Sequence, residues 1–256
     1  MITLLSFLLI SLTFDLCQLR HQFLFKDDET VLLYDWYNVN KNELIPANSV
    51  IPDIGGLGKV GTIFGNTVKY NTDGSIYFGL NDYLKVMHDL GFGTGNQAFS
   101  VEIVCKYILP ADYSDNLILY SFSKFGYLAP KISLNGNGSL GTTSGVKNGL
   151  VMKPLTDDYL TYFAFVFDQT INRLFYYMNG VQYGYFTVGG IGSDSPINLG
   201  LCLAACNSKD FHGNVYAFKW SNSFKSETDI KNTWDNSLYS FLSCLYKTFI
   251  NHLKPF

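Results

Sequence analysis

Residues 172–186 read NRLFYYMNGVQYGYF, with an aromatic run on either side of Asn179-Gly180. Asn-Gly between alternating apolar runs predicts a β-hairpin, because both central residues of a type I′ turn need positive φ. Alternation divides the first run between the two sheet faces, with Leu174, Tyr176 and Met178 on one and Phe175 and Tyr177 on the other. Both faces are bulky, so we expect a hairpin inside a large β-architecture. Core packing is favoured over an exposed aromatic platform for a ligand.

Similar segments recur between about residues 30 and 220, separated by Gly, Asn and Asp turns. The pattern predicts strands at 30–36, 61–64, 75–79, 83–86, 99–108, 117–123, 130–134, 160–167, 173–178, 181–187, 196–203 and 214–220. No helical periodicity intervenes, so the predicted fold class is all-β, a sandwich or barrel. One helix is predicted near the end, because Ser226-Glu227-Thr228-Asp229 has the form of a capping box.

Composition bounds the class of protein. The chain has 256 residues, of which 47% are hydrophobic, enough to bury a core as one domain. Its net charge of -3, without a lysine or arginine cluster, argues against nucleic acid as a partner.

The first residues differ from the strand-rich middle. Residues 1–18 begin with MITLLSFLLISLTF, an apolar run too short for a comfortable membrane span of about 20 residues. We interpret them as a secretory signal peptide, although a charged n-region and a clear cleavage site are missing. A signal anchor is the alternative, since Arg20 and His21 follow the run. The expected localisation is secreted or at the extracellular surface, with no transmembrane span in the mature chain.

The last residues, 237–256, form a second extension. Their apolar side chains recur at helical spacing: Leu238, Phe241, Leu242, Leu245, Phe249 and Leu253. An amphipathic helix that packs on the sandwich is favoured over one that lies on a membrane, since Lys247 and Lys254 are too few for a basic face. The main domain is then predicted over residues 28–236.

Four cysteines remain if Cys17 leaves with the leader: Cys105, Cys202, Cys206 and Cys244. Three disulfide pairings are open to them. Cys105 alternates with Val101 and Ile103, which predicts a small buried hydrophobic residue. Asn137 opens the sequon Asn137-Gly138-Ser139 in a turn-rich stretch, and it is a candidate glycosylation site in a secreted chain.

Five stretches follow one another in an order that resembles a known family. They are IPDIGGLGKVGTIFGN (51–66), DGSIYFGLNDYLKV (73–86), FSVEIVCKY (99–107), YLTYFAFVFDQTINRLFYYMNGVQYG (159–184) and FHGNVYAFKWSNSFKSETDI (211–230). Over about residues 30–236 they are similar to laminin G-like jelly-roll domains of the concanavalin A-like lectin/glucanase superfamily. The sequence departs from that pattern at Cys105, where an aromatic residue usually stands, and in the neighbourhood of Tyr162, where Trp or His is usual.

This resemblance implies a two-sheet antiparallel jelly-roll sandwich with a short C-terminal helical extension. It also implies that a glycan or an extracellular protein is recognised at rim loops and on the concave face, and many relatives bind Ca²⁺ at the rim.

Catalytic patterns are missing from the sequence. Glucanases of this fold carry E-x-D-x-E on one strand, so that alternation places two carboxylates about 5 Å apart on one face. Glu102 instead stands alone on its strand, flanked at the same parity by Ser100 and Val104. The four histidines are scattered, and G-x-S-x-G is absent. We therefore expect no enzyme activity, although carboxylates from different strands can still meet in space.

One loop is the predicted ligand site. Asp112, Tyr113, Asp115 and Asn116 lie close together after the strand 99–108, and Tyr127 lies across the next predicted hairpin. Carboxylate and amide oxygens suit Ca²⁺ or sugar hydroxyls, and a tyrosine ring can stack on a pyranose. Residues 207–210 have similar oxygen-rich chemistry. A solvated turn without a ligand is the favoured reading of both loops, and no cofactor other than Ca²⁺ is implied.

The expected function is a secreted, non-enzymatic module that binds a glycan or a protein through its rim loops. A glycoside hydrolase relative and a structural surface-coat component are the alternatives.

Overall fold

The structure, a computed structural model, describes residues 22–37, 39, 41–55, 58–79, 82–86, 98–108, 116–118, 120–122, 130–133, 139–142, 150–151, 160–187, 201–203 and 212–237. The predicted signal peptide at 1–18 and nearly all of the C-terminal extension lie outside these residues. Among the described residues, no helix is long and apolar enough to cross a membrane.

Antiparallel strands make up most of this part of the chain, in agreement with the predicted all-β class. In chain order they are β1 (Thr30–Asp35), β2 (Glu43–Leu44), β3 (Val50–Ile51), β4 (Gly61–Phe64), β5 (Lys69–Tyr70), β6 (Ile76–Phe78), β7 (Tyr83–Val86), β8 (Phe99–Tyr107), β9 (Asn116–Ile118), β10 (Tyr120–Phe122), β11 (Pro130–Ser133), β12 (Ser139–Thr142), β13 (Leu150–Val151), β14 (Thr161–Asp168), β15 (Arg173–Met178), β16 (Val181–Thr187), β17 (Leu201–Leu203) and β18 (Gly213–Ser221). One helix, α1, is described over residues 227–237.

The largest sheet has nine strands in the order β16-β15-β14-β8-β18-β6-β5-β2, with β1 also paired to β18. A five-stranded sheet runs β10-β17-β7-β4-β3, and a four-stranded sheet runs β13-β12-β11-β9. Side chains of the large and the five-stranded sheets share one buried cluster, which makes these two sheets a sandwich. The four-stranded sheet is an addition that the sequence pattern did not predict.

The core lies between the two packed sheets. Alternation turns one face of each strand inward, and its residues in β8 and β14 are large and apolar. Phe99 stacks on Trp220 of β18 with ring centroids 4.9 Å apart and on Phe167 of β14 at 5.4 Å. Cys105 belongs to this cluster as a buried free thiol, as its alternation predicts. Each of the three complete cysteine pairings uses Cys105, so none of them is present.

The hairpin between β15 and β16 has the predicted turn. Asn179 has a φ of 51° and Gly180 a φ of 76°. Leu174, Tyr176 and Met178 enter the core between the sheets, whereas Tyr177 is buried on the opposite, outer face of the large sheet. The prediction of core packing is confirmed for these four residues. Phe175, however, is only half-buried on the outer face.

Two segments cover the centre of that outer face. One is residues 22–24, here called the N-terminal strap, and the other is α1. Phe23 and Leu24 of the strap and Ile230 of α1 are buried against it, with Trp234 packed at their side. The predicted capping box starts the helix: Asp229 N–H donates to Ser226 Oγ (3.2 Å), and Ser226 N–H donates to Asp229 Oδ2 (2.9 Å).

Most predicted strands agree with the structure to within one or two residues. The predicted strand 117–123 is found as two strands, β9 and β10, which belong to different sheets. The predicted strand 196–203 is described only at β17 (Leu201–Leu203). The strands that the pattern missed are β2, β3, β5, β12 and β13, of two to four residues each. Runs this short hold too few residues to show an alternation.

The turn glycine at Gly180 provides a stability test. An added Cβ would lie 3.1 Å from Trp234 Cδ1 of α1, and φ is in the left-handed region. We expect Gly180→Ala to lower the free energy of unfolding by about 1–3 kcal/mol. Gly58→Ala is the matched control, because Gly58 has a φ of 68° with no atom within 4 Å of its Cβ position. It should cost about 1 kcal/mol. Equal denaturation midpoints for the two variants would show that α1 does not pack on this turn.

Candidate ligand-binding face

The predicted ligand loop cannot be placed on the sandwich. Asp112, Tyr113, Asp115 and Tyr127, like the sequon residue Asn137, lie outside the described residues. Asn116 is the first residue of β9, and its side chain lies outside the description. The described residues form a different candidate site, on the outer face of the large sheet.

Four polar side chains cross this face in one line, one from each of four neighbouring strands. The register pairs Lys69 of β5 with Tyr77 of β6, Tyr77 with Asn214 of β18, and Asn214 with Lys106 of β8. Their sequence neighbours Ile76, Val215 and Cys105 point into the core. All four side chains of this lysine–tyrosine row are half-buried, so each presents part of its surface to solvent.

Local contacts orient the row. Tyr77 Oη lies 2.9 Å from His212 Nε2, and Lys69 Nζ lies 5.5 Å from the centroid of the Tyr77 ring. Asn71 Nδ2 donates to Asn214 Oδ1 over 3.1 Å. These contacts fix the phenol ring and the amide without burying them.

The electrostatics of the row are those of a cationic, hydrogen-bonding surface. Burial lowers the pKa of His212, so its imidazole is neutral at pH 7. Lys106 Nζ lies over the ring of Tyr216, 5.8 Å from its centroid, and Lys69 Nζ lies over the Tyr77 ring in the same way at 5.5 Å. Two ammonium groups, an amide and a partly exposed aromatic ring thus share one line. Donors beside a ring face are the groups that a saccharide, with hydroxyls and apolar C–H faces, can use.

The centre of the same face holds a buried ionic network. Tyr162 Oη donates to Glu102 Oε2 over 2.7 Å, and Lys219 Nζ lies 3.6 Å from Glu102 Oε1. Lys219 also donates to Asp27 (2.6 Å), which accepts from Lys225 at 2.9 Å. Burial acts to raise the pKa of the Asp27 carboxyl, but the hydrogen bonds from Lys219, Thr30 and Lys225 outweigh it and hold that pKa well below its usual range.

Glu102 is closed to a substrate in this arrangement. Its side chain is 2% exposed, and both of its oxygens are engaged. Burial, followed by the charge of Glu102, raises the pKa of Tyr162 well above its ordinary value, so the phenol keeps its proton. The network therefore links Asp27, which follows the N-terminal strap in the chain, to the large sheet.

A second carboxylate holds the strap itself. Asp35 Oδ2 accepts from the backbone N–H groups of Phe23 (2.9 Å) and Leu24 (3.1 Å), and Oδ1 accepts from Tyr37 N–H (3.2 Å). Ser237 Oγ of α1 donates to the carbonyl oxygen of Phe23 over 2.6 Å. Burial raises the pKa of Asp35 to about 7, although the three N–H donors act in the opposite direction.

Asp53 and Asp82 accept backbone hydrogen bonds and have structural roles. Asp53 Oδ1 accepts from Leu33 N–H (2.9 Å) and Gly55 N–H (2.7 Å). Asp82, only 2% exposed, accepts from the N–H of Gly79 (2.8 Å) and of Asn66 (3.1 Å). Within the described ranges, no three His, Cys, Asp or Glu side chains come together as a metal site.

Sequence reasoning missed the lysine–tyrosine row. Alternation in β6 places Tyr77 on the sheet face opposite to Ile76 and Phe78. This signal could have identified Tyr77 as a member of the outer face. The other members come from strands far apart in the chain, and only the register of the sheet brings them together.

Comparison with known proteins shows a similarity of fold. No family model matches the chain, and no curated protein matches it. Domain 4 of AbnA, a GH43 extracellular arabinanase from Geobacillus stearothermophilus, in complex with arabinotriose, is similar with a TM-score of 0.58 and 17% identity, over 80% of this chain and 98% of that one. Trypanosoma rangeli sialidase in complex with sialic acid is similar with a TM-score of 0.60 and 11% identity, over 81% of this chain and 33% of that one.

A third solved structure, that of a receptor binding domain, has a TM-score of 0.57 and 10% identity over 82% of this chain and 51% of that one. The chain thus spans nearly all of the arabinanase domain, about half of the receptor binding domain and about a third of the sialidase. At these identities the likeness concerns the fold: an antiparallel β-sandwich of the kind found in these proteins.

Protonation of Asp35 should be visible in the pH dependence of stability. Its pKa is about 7 in the folded chain and near 3.8 in the unfolded one, so the folded state binds the proton more tightly. The free energy of unfolding that Asp35 contributes is therefore fully present below pH 4 and falls as the pH rises to 7, by up to about 1.4 kcal/mol per pH unit.

We expect Asp35→Asn to remove this fall when denaturation is followed from pH 4 to 8. Asp229→Asn is the control: hydrogen bonds with Ser226 lower the pKa of Asp229, so its contribution is lost only as the pH falls below about 4, and this variant should keep the wild-type fall between pH 4 and 8. A wild-type profile that runs parallel to that of Asp35→Asn over this range would contradict the assignment.

Proposed function

We propose that the chain is a secreted, non-enzymatic module of the laminin G-like type, and that it binds a glycan on the outer face of its large sheet. The observation that carries the proposal is the lysine–tyrosine row. It presents a fixed aromatic ring between an ammonium group and an amide, on four strands of a rigid sheet rather than on a loop. A ring face with neighbouring donors matches the mixed apolar and hydroxyl surface of a sugar.

Two further observations support a glycan as the ligand. The order of sequence motifs resembles laminin G-like domains, and relatives of that fold include lectins. Two of the structurally similar proteins are named as carbohydrate-active, and one was solved with arabinotriose. The oxygen-rich loop at 112–116, with Ca²⁺ or without it, stays a separate prediction from the sequence.

A protein partner is the second candidate. Its support is the similarity of fold to a receptor binding domain. The exposed parts of the lysine–tyrosine row are accessible to a glycan and to a protein alike, and a binding experiment distinguishes the two hypotheses.

The aromatic ring of Tyr77 is the residue to test. A glycan array probed with the full chain should show reproducible binding to particular sugars. The affinity for these sugars is then measured by calorimetry. We expect Tyr77→Ala to weaken binding at least tenfold, about 1.4 kcal/mol, because the stacking surface is lost. Tyr77→Phe is the matched control: it keeps the ring, loses the contact with His212, and should retain most of the affinity.

Phe224→Ala removes a ring that is 44% exposed elsewhere and should leave affinity unchanged. Melting temperatures for each variant separate loss of binding from loss of fold. Unchanged affinity in a folded Tyr77→Ala variant would remove the row from the site, and an array without hits would favour the protein partner.

Absence of glycosidase activity is part of the proposal. On the sheet face that carries the row, the acid Glu102 is enclosed by Tyr162 and Lys219. We expect no turnover of arabino-oligosaccharides, β-glucans or aryl sialosides by the wild-type chain. Turnover that disappears in Glu102→Gln, with the melting temperature retained, would establish the hydrolase alternative.

A further inference from the structure

The same sheet face has a second group of side chains at its other end, two of them exposed and two half-buried. Arg173 and Phe175 of β15 lie opposite Thr187 and Tyr185 of β16 in the register of the hairpin. We call these four residues the arginine platform. The Tyr185 side chain is 46% exposed, its ring centroid lies 5.9 Å from that of Phe175, and the Arg173 guanidinium carbon lies 4.1 Å from the Tyr185 centroid.

The contact of Arg173 leaves its hydrogen-bonding capacity open. A contact between a guanidinium carbon and a ring does not consume the five N–H donors of the arginine, which lie in the guanidinium plane. Among the described residues, no carboxylate forms an ion pair with Arg173. The nearest acid in register, Asp168, instead accepts from Thr170 N–H (2.8 Å) and Thr170 Oγ1 (2.6 Å).

The platform is separate from the lysine–tyrosine row. Lys106 lies near one end of β8, and the platform lies beside the other end, near Phe99, whose partner in β14 is Phe167. Seven residues of extended strand place the two groups about 24 Å apart along the strands. The N-terminal strap and α1 cover the face between them. A substitution in one group therefore leaves the other intact.

The chemistry of the platform selects a ligand with a carboxylate and an apolar ring face. A guanidinium pairs with a carboxylate through two parallel N–H···O bonds, which an ammonium cannot match. The exposed part of Tyr185, beside Phe175, offers apolar surface for the C–H groups of a pyranose. We propose that the arginine platform is a second saccharide site, which takes a hexuronic acid residue of an acidic polysaccharide. Arg173 binds the carboxylate, and Tyr185 holds the sugar ring.

Calorimetry with the full chain and two matched probes tests this assignment. The probes are tetragalacturonate and its carboxyl-reduced, neutral counterpart. We expect the reduced probe to bind at least tenfold more weakly. Arg173→Lys keeps the charge but loses the planar fork, and it should weaken tetragalacturonate binding at least tenfold without changing the melting temperature. Tyr185→Ala should weaken it similarly.

Two control variants locate the effect. Tyr77→Ala alters the lysine–tyrosine row and should leave tetragalacturonate affinity within twofold of wild type. Lys231→Gln removes an exposed cation from α1 and should do the same. No binding of tetragalacturonate, equal affinity for the two probes, unchanged affinity in Arg173→Lys, or a loss in Tyr77→Ala would each overturn the proposal. None of these results bears on binding of neutral sugars at the row, which is measured separately with Tyr77→Ala.

Discussion

Strand β18 is the constraint on which the sandwich depends. One edge of this strand pairs with β8 along nearly its whole length, and the other edge is shared between β6 at residues 213–215 and β1 at residues 217–221. A shift of register between Val215 and Ala217 allows one strand to serve both neighbours. The strand thereby joins segments from the start, the middle and the end of the described chain, and its residues Asn214 and Lys219 enter the lysine–tyrosine row and the buried ionic network.

The outer face of the large sheet is divided by what covers it. In a sandwich one face of each sheet is buried against its partner and the other must be solvated or covered. Here the strap and α1 cover the centre, and the charges beneath them are paired, as a low-dielectric interior requires. Among the described residues, side chains at both ends of the face are partly exposed. The two proposed binding surfaces lie at these ends, one with ammonium groups and one with a guanidinium.

Local signals in the sequence predicted those structural features that are determined by residues close together in the chain. Asn179-Gly180 gave the hairpin, Ser226 and Asp229 gave the helix start, and the two-residue alternation of Cys105 gave its burial. The lysine–tyrosine row was not predictable in this way, because Lys69, Lys106 and Asn214 meet only through the pairing of strands distant in the chain. The strap was equally invisible, since its anchor is a hydrogen-bonded carboxylate, Asp35, more than ten residues away. The loop around Asp112 stays a prediction.

The contact between Ser237 and Phe23 has a mechanical consequence. It joins the two ends of the described chain, with the strap held to β1 by Asp35. Tension applied between residues 22 and 237 meets these few hydrogen bonds first, whereas the ladder between β1 and β18 carries load only after they break. This contact is thus in series with the sheet, and opening it also exposes the buried side chains of Phe23 and Leu24. It would open before the β-ladder and reclose when the tension ceases, while the sandwich that carries both proposed binding surfaces keeps its shape.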